Sequence, residues 1–230
     1  MSKHIGIVGC SAEGAALCYR TICLEGERME GRYAHPEVTM HTIPLSEYMK
    51  HIEPRANWKA VAELMLRSAD VLQRAGAEFL ISPDNTIHAA MEYVLPRSPL
   101  PWLSIAEEVG KEADRQGFST LGLTGTKFLV ESEVYPRKLE PMGIRCLRPT
   151  DQQRKRINEI IFDELVRDVR SLESLFYFQQ VIEQFKNRGC DAVVLGCTEI
   201  PLLVSEEDSP LPTLDSTRIL ARAALREALG

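Results

Sequence analysis

Asp191-Ala-Val-Val-Leu-Gly-Cys-Thr-Glu-Ile-Pro201 gives the clearest structural signal in this 230-residue chain. Its apolar run Ala192–Leu195 predicts a short buried strand, and the glycine after it predicts a sharp turn. Thr198 and Glu199 then predict the start of a short helix. Cys197 is therefore expected at the carboxyl end of a strand, beside helix N–H groups that favour a thiolate.

The first half of the chain contains a similar peptide. Arg74-Ala-Gly-Ala-Glu-Phe-Leu-Ile-Ser-Pro-Asp-Asn-Thr86 aligns with Asn187–Glu199 at an offset of 187 − 74 = 113 residues. At that offset Asp84 falls on Cys197, because 197 − 84 = 113. Asp84 is therefore expected to follow a strand in the same way as Cys197 does.

A second pair of peptides repeats at almost the same distance. Ile5-Gly-Ile-Val-Gly-Cys-Ser11 aligns with Leu121-Gly-Leu-Thr-Gly-Thr-Lys127 at an offset of 121 − 5 = 116 residues. Strand–glycine–turn patterns are common, but two independent matches near half of the 230 residues favour an internal duplication over chance.

The composition indicates a soluble globular protein, with 44% hydrophobic and 26% charged residues. The net charge of 27 − 33 = −6 argues against a nucleic-acid-binding surface. No apolar run approaches the ~20 residues of a membrane-spanning helix, and the apolar run after Lys3-His4 is too short for a signal peptide. We therefore expect a cytoplasmic protein that binds neither membranes nor nucleic acid.

The cysteine pattern excludes an evident metal centre. The spacing of the six cysteines does not match that of metal ligands, which predicts reduced thiols that are mostly small core residues. The two glycine-containing loops at Gly9 and Gly125 match neither nucleotide-binding pattern. No cofactor and no metal are expected.

The order of elements predicts an α/β fold. Strands and helices alternate, which is typical of parallel sheets flanked by helices in a Rossmann-like arrangement. We expect two pseudo-symmetric domains, one formed by residues 1–116 with 210–230 and the other by residues 117–209. The last strand and helix would thus return to the first domain, and Asp84 and Cys197 would meet across an interdomain cleft that forms the active site.

Three segments carry further expectations about secondary structure. Leu45–Ala56 is predicted to be a loop, Trp102–Ser104 a short strand, and residues from about 126 to 142 one helix.

The chain resembles the cofactor-independent aspartate/glutamate racemase family over essentially its whole length. Gly196-Cys-Thr-Glu-Ile-Pro-Leu-Leu203 is similar to the family's second catalytic-cysteine motif, and Asn85-Thr-Ile-His88 to the segment after its first cysteine. Leu121–Thr126 and Leu214–Thr217 also look like family blocks. The resemblance implies an isomerase of amino-acid metabolism, two α/β domains, a homodimer, and an amino acid or dicarboxylate held between two cysteines.

The chain departs from the family pattern at its first cysteine, where Asp84 stands. A related subgroup has threonine there and still acts on L-amino acids. The peptide Gly9–Gly14 is only loosely like the family's segment, and a family lysine that contacts the substrate carboxylate aligns with Arg167. This replacement keeps the charge but changes the geometry.

Racemisation without a cofactor requires one proton-transfer group on each face of Cα. Asp84 and Cys197 would be that pair, although ordinary pKa values of ~3.9 and ~8.5 differ by about 4.6, or about 6 kcal/mol. Burial raises a carboxyl pKa by ~3–5 and would narrow the gap. Three functions remain open: a racemase, a single-cysteine decarboxylase or cis–trans isomerase of small diacids, and a catalytically silent amino-acid-binding protein.

The residues around the two strand ends suit a small anionic ligand. The candidate substrate-binding residues are Ser11, Asn85, Thr86, Thr126, Arg167, Thr198 and Glu199. Helix capping is the alternative role for the short polar ones, and Arg167 is equally typical of an exposed helix. Glu199 has two alternatives: it could act on the Cys197 thiol, by orienting it or by raising its pKa through like-charge repulsion, or it could cap the next helix.

Overall fold

The computed structural model describes residues 2–230, which form two compact units. The first unit contains the chain up to Ile105 together with Thr217–Gly230, and the second contains Ala106–Ser216. Each unit has a parallel sheet with helices packed around it. Within residues 2–230, no helix combines the length and the apolar character needed to cross a membrane.

The strands and helices alternate along the chain. The strands are β1 (Ile5–Gly9), β2 (Val38–Thr42), β3 (Phe79–Ile81), β4 (Thr120–Thr124), β5 (Arg145–Leu147), β6 (Ala192–Leu195) and β7 (Thr213–Asp215). The α-helices are α1 (Ala12–Glu30), α2 (Leu45–Ile52), α3 (Trp58–Arg74), α4 (Met91–Val94), α5 (Ile105–Gln116), α6 (Lys127–Val130), α7 (Pro136–Leu139), α8 (Asp151–Glu159), α9 (Leu172–Asn187), α10 (Ile200–Leu203) and α11 (Ser216–Leu229). Short 3₁₀ turns cover Asn85–Ala90, Glu140–Met142 and Leu165–Arg167, and a π-helical turn covers Ile160–Glu164.

The two sheets repeat one arrangement. The first has the order β2-β1-β3 and the second the order β5-β4-β6-β7, and all neighbours are parallel. In the first sheet Ile5 pairs with Phe79, and in the second Leu121 pairs with Ala192. These residues are related by the two sequence offsets, since 121 − 5 = 116 and 192 − 79 = 113. Equivalent strands therefore pair in the same register, as an internal duplication predicts.

Close packing on the central strands explains a glycine in each repeat. A Cβ at Gly6 in β1 would lie 2.5 Å from a Leu80 methyl group, and one at Gly122 in β4 would lie 2.5 Å from the Phe185 ring. The two glycines are equivalent at the offset of 116 residues. Both sheets thus need a position without a side chain at the same place.

Each unit has its own apolar core. In the first, helices α1 and α11 cover the sheet. Its fully buried side chains include Cys18, Ile22, Leu220 and Ala224 from these helices and Ile5, Ile7 and Ile81 from the strands. In the second, α9 and the π-helical turn contribute Ile160, Phe178, Ile182 and Phe185, which pack with Val193 and Leu195 of β6. Burial of these side chains stabilises each sheet and fixes its carboxyl edge.

Three sequence expectations are wrong in detail. Leu45–Ile52 is helix α2, because Tyr48 and Ile52, four residues apart, are both buried as the helix packs against α3. Trp102 forms one isolated bridge with Leu80 where a strand was expected. The expected helix over residues 126–142 is interrupted after Val130 and resumes at Pro136, which occupies the first helical position.

The last strand also differs from expectation. β7 pairs with β6 and extends the second sheet, so that only α11 belongs to the first unit. Backbone hydrogen bonds explain why β7 joins the second sheet. The strand adds to the open edge of β6, where Val193 N donates to Pro212 O over 2.9 Å.

Candidate active site

The carboxyl edge of the first sheet holds Asp84 in a fixed position. Cys10 follows β1 and Asp84 lies three residues after β3, the neighbouring strand. The Cys10 N–H donates to Asp84 Oδ2 over 2.9 Å, and Asp84 is only 8% exposed. A backbone donor of this kind favours the carboxylate form of a side chain. Asp84 therefore presents a largely buried, oriented carboxyl group at the edge where α/β sheets bind ligands.

The residues after Asp84 start the 3₁₀ turn Asn85–Ala90. The Asp84 side chain accepts from the Cys10 N–H and does not cap this turn. Asn85 is buried and Thr86 half-buried. His88 Nε2 lies 3.0 Å from the Ser82 carbonyl oxygen, and since a carbonyl only accepts, Nε2 carries the proton. His88 thus ties the turn back to the end of β3.

The equivalent edge of the second sheet presents Cys197. Gly196 N donates to Thr124 O over 3.0 Å, which keeps the chain against β4 for one residue beyond β6. A Cβ at Gly196 would lie 2.5 Å from the Thr124 carbonyl oxygen, so this position requires glycine. The chain then turns, and Cys197 lies half-buried two residues after the end of the strand.

Glu199 organises the thiol. Its Oε2 accepts from Cys197 Sγ over 2.9 Å and from Thr198 Oγ1 over 2.6 Å, and Glu199 is 4% exposed. A thiolate next to this carboxylate would place two negative charges 2.9 Å apart, so the arrangement keeps the proton on sulfur. The sequence led us to expect a Cys197 thiolate, but the neighbouring Glu199 carboxylate favours the protonated thiol. Glu199 orients this thiol and does not cap α10.

Ser11 and Thr126 both cap helices. Ser11 Oγ accepts from Gly14 N over 3.3 Å at the start of α1, and Thr126 Oγ1 accepts from Leu129 N over 3.2 Å at the start of α6. Each follows the central strand of its sheet, so the capping places a helix start at the carboxyl edge in both units.

The basic candidates lie on the surface. Arg167 is exposed at the end of a 3₁₀ turn, and within residues 2–230 its guanidinium joins no salt bridge. Lys50, a basic residue of the segment that was expected to be a loop, is exposed and donates to Glu47 Oε1 over 2.6 Å. The geometry brings together Cys197, Thr198 and Glu199 in the second unit and Asp84 and Asn85 in the first.

Tyr48 was not among the candidates from the sequence. This residue of α2 is fully buried, and both Asp84 and the hydrogen-bonding side chain of Ser68 act on its hydroxyl. The four-residue spacing of Tyr48 and Ile52 was a readable helical signal, but Pro44 before it favoured a loop interpretation.

The chain has two α/β sheets in matched register, with an acidic group at the edge of one and a thiol at the edge of the other. These features indicate the class of protein to which it belongs. The family described as Asp/Glu/hydantoin racemase matches residues 7–224, and the chain belongs to it. Racemases are isomerases, so the protein is an enzyme of that class.

Individual relatives support this assignment. The broad specificity amino-acid racemase RacX of Bacillus subtilis is 22% identical over 197 residues, which cover 85% of this chain and 83% of that protein. A proposed Asp/Glu racemase from Yersinia pestis has a similar structure, with a TM-score of 0.89, 30% identity and coverage of 99% and 100% of the two chains. PH1733, an aspartate racemase homologue from Pyrococcus horikoshii, has a TM-score of 0.82 and 28% identity over 100% of both chains.

Proposed function

We propose that the enzyme racemises a small amino acid by cofactor-independent proton transfer at Cα between Asp84 and Cys197. The observation that carries this proposal is the equivalence of the two residues, which follow strands β3 and β6 that pair in the same register. A duplicated scaffold supplies one proton-transfer group from each repeat, and racemisation needs two. The proposal requires both side chains to reach one substrate.

The hydrogen bonds suggest which group is the base at rest. The Cys10 N–H supports an Asp84 carboxylate, and the Glu199 carboxylate supports a protonated Cys197 thiol. Asp84 then takes the Cα proton, the electron pair stays on the substrate as a carbanion, and the Cys197 S–H proton adds to the other face. The enzyme is left with a neutral Asp84 and a Cys197 thiolate, the form that acts on the opposite enantiomer.

The carboxyl edges of the two sheets also supply the candidate substrate-binding groups. We assign the substrate carboxylate to N–H and hydroxyl groups at the helix starts, where Ser11, Thr86, Thr126, Asn85 and Thr198 lie. Glu199 acts through Cys197 as a positioning residue. Arg167 supplies a cation for a substrate carboxylate, and the mechanism needs no cofactor. A homodimer and a cytoplasmic location remain predictions.

One observation favours a second function. The Cys10 N–H makes Asp84 a poor acid, so proton return from its side is unfavourable. A single-cysteine decarboxylase would avoid that step, because CO₂ leaves the substrate, Cys197 protonates the carbanion, and the thiolate recovers a proton from water.

Deuterium incorporation at Cα separates the two functions. We would incubate L- and D-aspartate and L- and D-glutamate in heavy water with the wild-type, Asp84→Asn and Cys197→Ser proteins. Racemisation predicts inverted, deuterated product from both enantiomers and loss of inversion in either variant. Asp84→Cys, which places a thiol on both sides, should raise the rate. Deuteration without inversion, or inversion that survives Asp84→Asn, would refute the two-residue mechanism.

A further inference from the structure

Each sheet carries a buried carboxyl group at its carboxyl edge. Asp84 lies three residues after β3 and is 8% exposed, and Glu199 lies four residues after β6 and is 4% exposed. Asp84 accepts from the Cys10 N–H. Glu199 accepts from the Cys197 thiol and the Thr198 hydroxyl. Hydrogen bonds from such uncharged donors stabilise a carboxylate without cancelling its negative charge.

The basic side chains are distributed differently. Within residues 2–230 every lysine and arginine is exposed or half-buried, so the described part of the chain buries no lysine or arginine. The buried acidic residues are Asp84, Glu199 and Glu108, and Lys111 pairs with Glu108 over 2.7 Å. A charge in a buried setting acts on a nearby charge more strongly than it would in water. Both carboxyl edges therefore attract a cation and repel an anion.

This charge pattern disfavours a substrate with an acidic side chain. Such a side chain would bring a carboxylate towards an edge that already holds one, and like charges brought together at a binding site cost affinity. The basic candidates do not offset this repulsion. Arg167 is exposed and is already assigned to one substrate carboxylate, and Lys50 is exposed and donates to Glu47. A side-chain ammonium group, in contrast, is attracted by the carboxylate of either edge.

We propose that the enzyme prefers an amino acid with a positively charged side chain, such as lysine or ornithine, over aspartate and glutamate. This inference rests on the proposed function, which places the substrate at the carboxyl edges of the two sheets. Asp84 and Glu199 determine the preference, because each edge has its own carboxylate. The preference therefore holds whichever edge receives the side chain, and acidic amino acids react more slowly.

Two pairs of ligands isolate the charge of the side chain in isothermal titrations of the wild-type protein. L-lysine should bind at least about tenfold more tightly than L-norleucine, which has the same carbon chain without the ammonium group. L-glutamate should bind at least about tenfold more weakly than its neutral counterpart L-glutamine. Deuterium incorporation at Cα of the same four amino acids in heavy water reports on racemisation separately from binding.

Variants test whether the two carboxylates cause the preference. Asp84→Asn combined with Glu199→Gln removes both charges and should reduce each affinity ratio to less than about threefold. Asp191→Asn is the matched control. Asp191 also accepts from backbone N–H groups, those of Ser119 and Thr120, but it precedes β6 and lies at the opposite end of the strand from Cys197. This control should leave both ratios unchanged.

The outcomes separate this inference from the proposed function. Equal or tighter binding of glutamate than of glutamine in the wild-type protein would overturn the preference, while exchange at Cα would leave the proposed function standing. Ratios that persist in the double variant, or fall equally in Asp191→Asn, would overturn the role of the two carboxylates. The wild-type comparison is decisive by itself if the double variant does not fold. Absence of both binding and exchange for all four amino acids would overturn the proposed function, and the substrate class with it.

Discussion

Glu199→Gln tests whether the carboxylate beside Cys197 controls the thiol. The change keeps the shape of the side chain and an oxygen that accepts from Thr198, but it removes the negative charge 2.9 Å from the sulfur. Two unit charges at that distance repel by about 1.4 kcal/mol in water and by about 6 kcal/mol at an effective dielectric constant of about 20. The lower figure alone corresponds to about a tenfold larger thiolate population at a given pH.

The assay is the rate of alkylation of Cys197 by iodoacetamide, followed by peptide mass spectrometry as a function of pH. We expect Glu199→Gln to react at least about tenfold faster than the wild type near neutral pH, since the thiolate is the nucleophile. Inversion of the enantiomer that Asp84 deprotonates should slow in the same variant, because the thiol that donates the proton to it is depleted.

Glu164→Gln provides the control. Glu164 Oε2 also accepts from two hydroxyl groups, those of Ser171 over 3.0 Å and Ser174 over 2.5 Å, but among residues 2–230 it has no thiol partner. An equal or slower alkylation rate in Glu199→Gln, or the same acceleration in Glu164→Gln, would refute the reasoning.

Three other predictions concern the scaffold. Gly122→Ala should destabilise the second unit by about 1–3 kcal/mol in urea unfolding, because its Cβ would lie 2.5 Å from the Phe185 ring, and a second change Phe185→Leu should restore part of the loss; no loss in the single variant would contradict the packing. Hydrogen bonds from the Ser119 N–H, the Ser119 hydroxyl and the Thr120 N–H hold the pKa of Asp191 below its usual range. Asp191→Asn should therefore be less stable than the wild type at neutral pH, and the difference should shrink as pH falls below about 4, through the lowered pKa; a difference independent of pH in acid titrations of unfolding would count against it. Burial raises the pKa of Cys146 to about 12, so iodoacetamide at pH 8 should leave it unmodified in the folded protein and label it after denaturation; labelling of the native protein would show that the thiol is accessible.

The sequence predicted the repeated framework because its signals are local. Apolar runs followed by glycine predict β1, β4 and β6. The two offsets between the repeated peptides of the sequence identify the residue pairs that the sheets bring into register. The positions of Asp84 and Cys197 after equivalent strands follow from the same signals. Nothing more than strand periodicity and turn chemistry is needed for this part.

The remaining features depend on contacts that no local pattern encodes. Glu199 was a candidate for three roles, and only the folded turn shows its carboxylate facing the Cys197 sulfur. Strand β7 is three residues long, so its choice of sheet depends on the open edge of β6. Tyr48 resembles an ordinary core residue in the sequence, and only the fold shows that burial, Cys10 and Asp84 raise its pKa.

The matched register of the two sheets has an evolutionary consequence. A half-length ancestor that assembled from identical copies would have carried one amino acid at the position now numbered 84 and 197, and any mutation would have altered both sites at once. A chain that encodes the two halves separately is free of that constraint. A carboxylic acid in one half and a sulfhydryl in the other is a difference that such a chain can inherit.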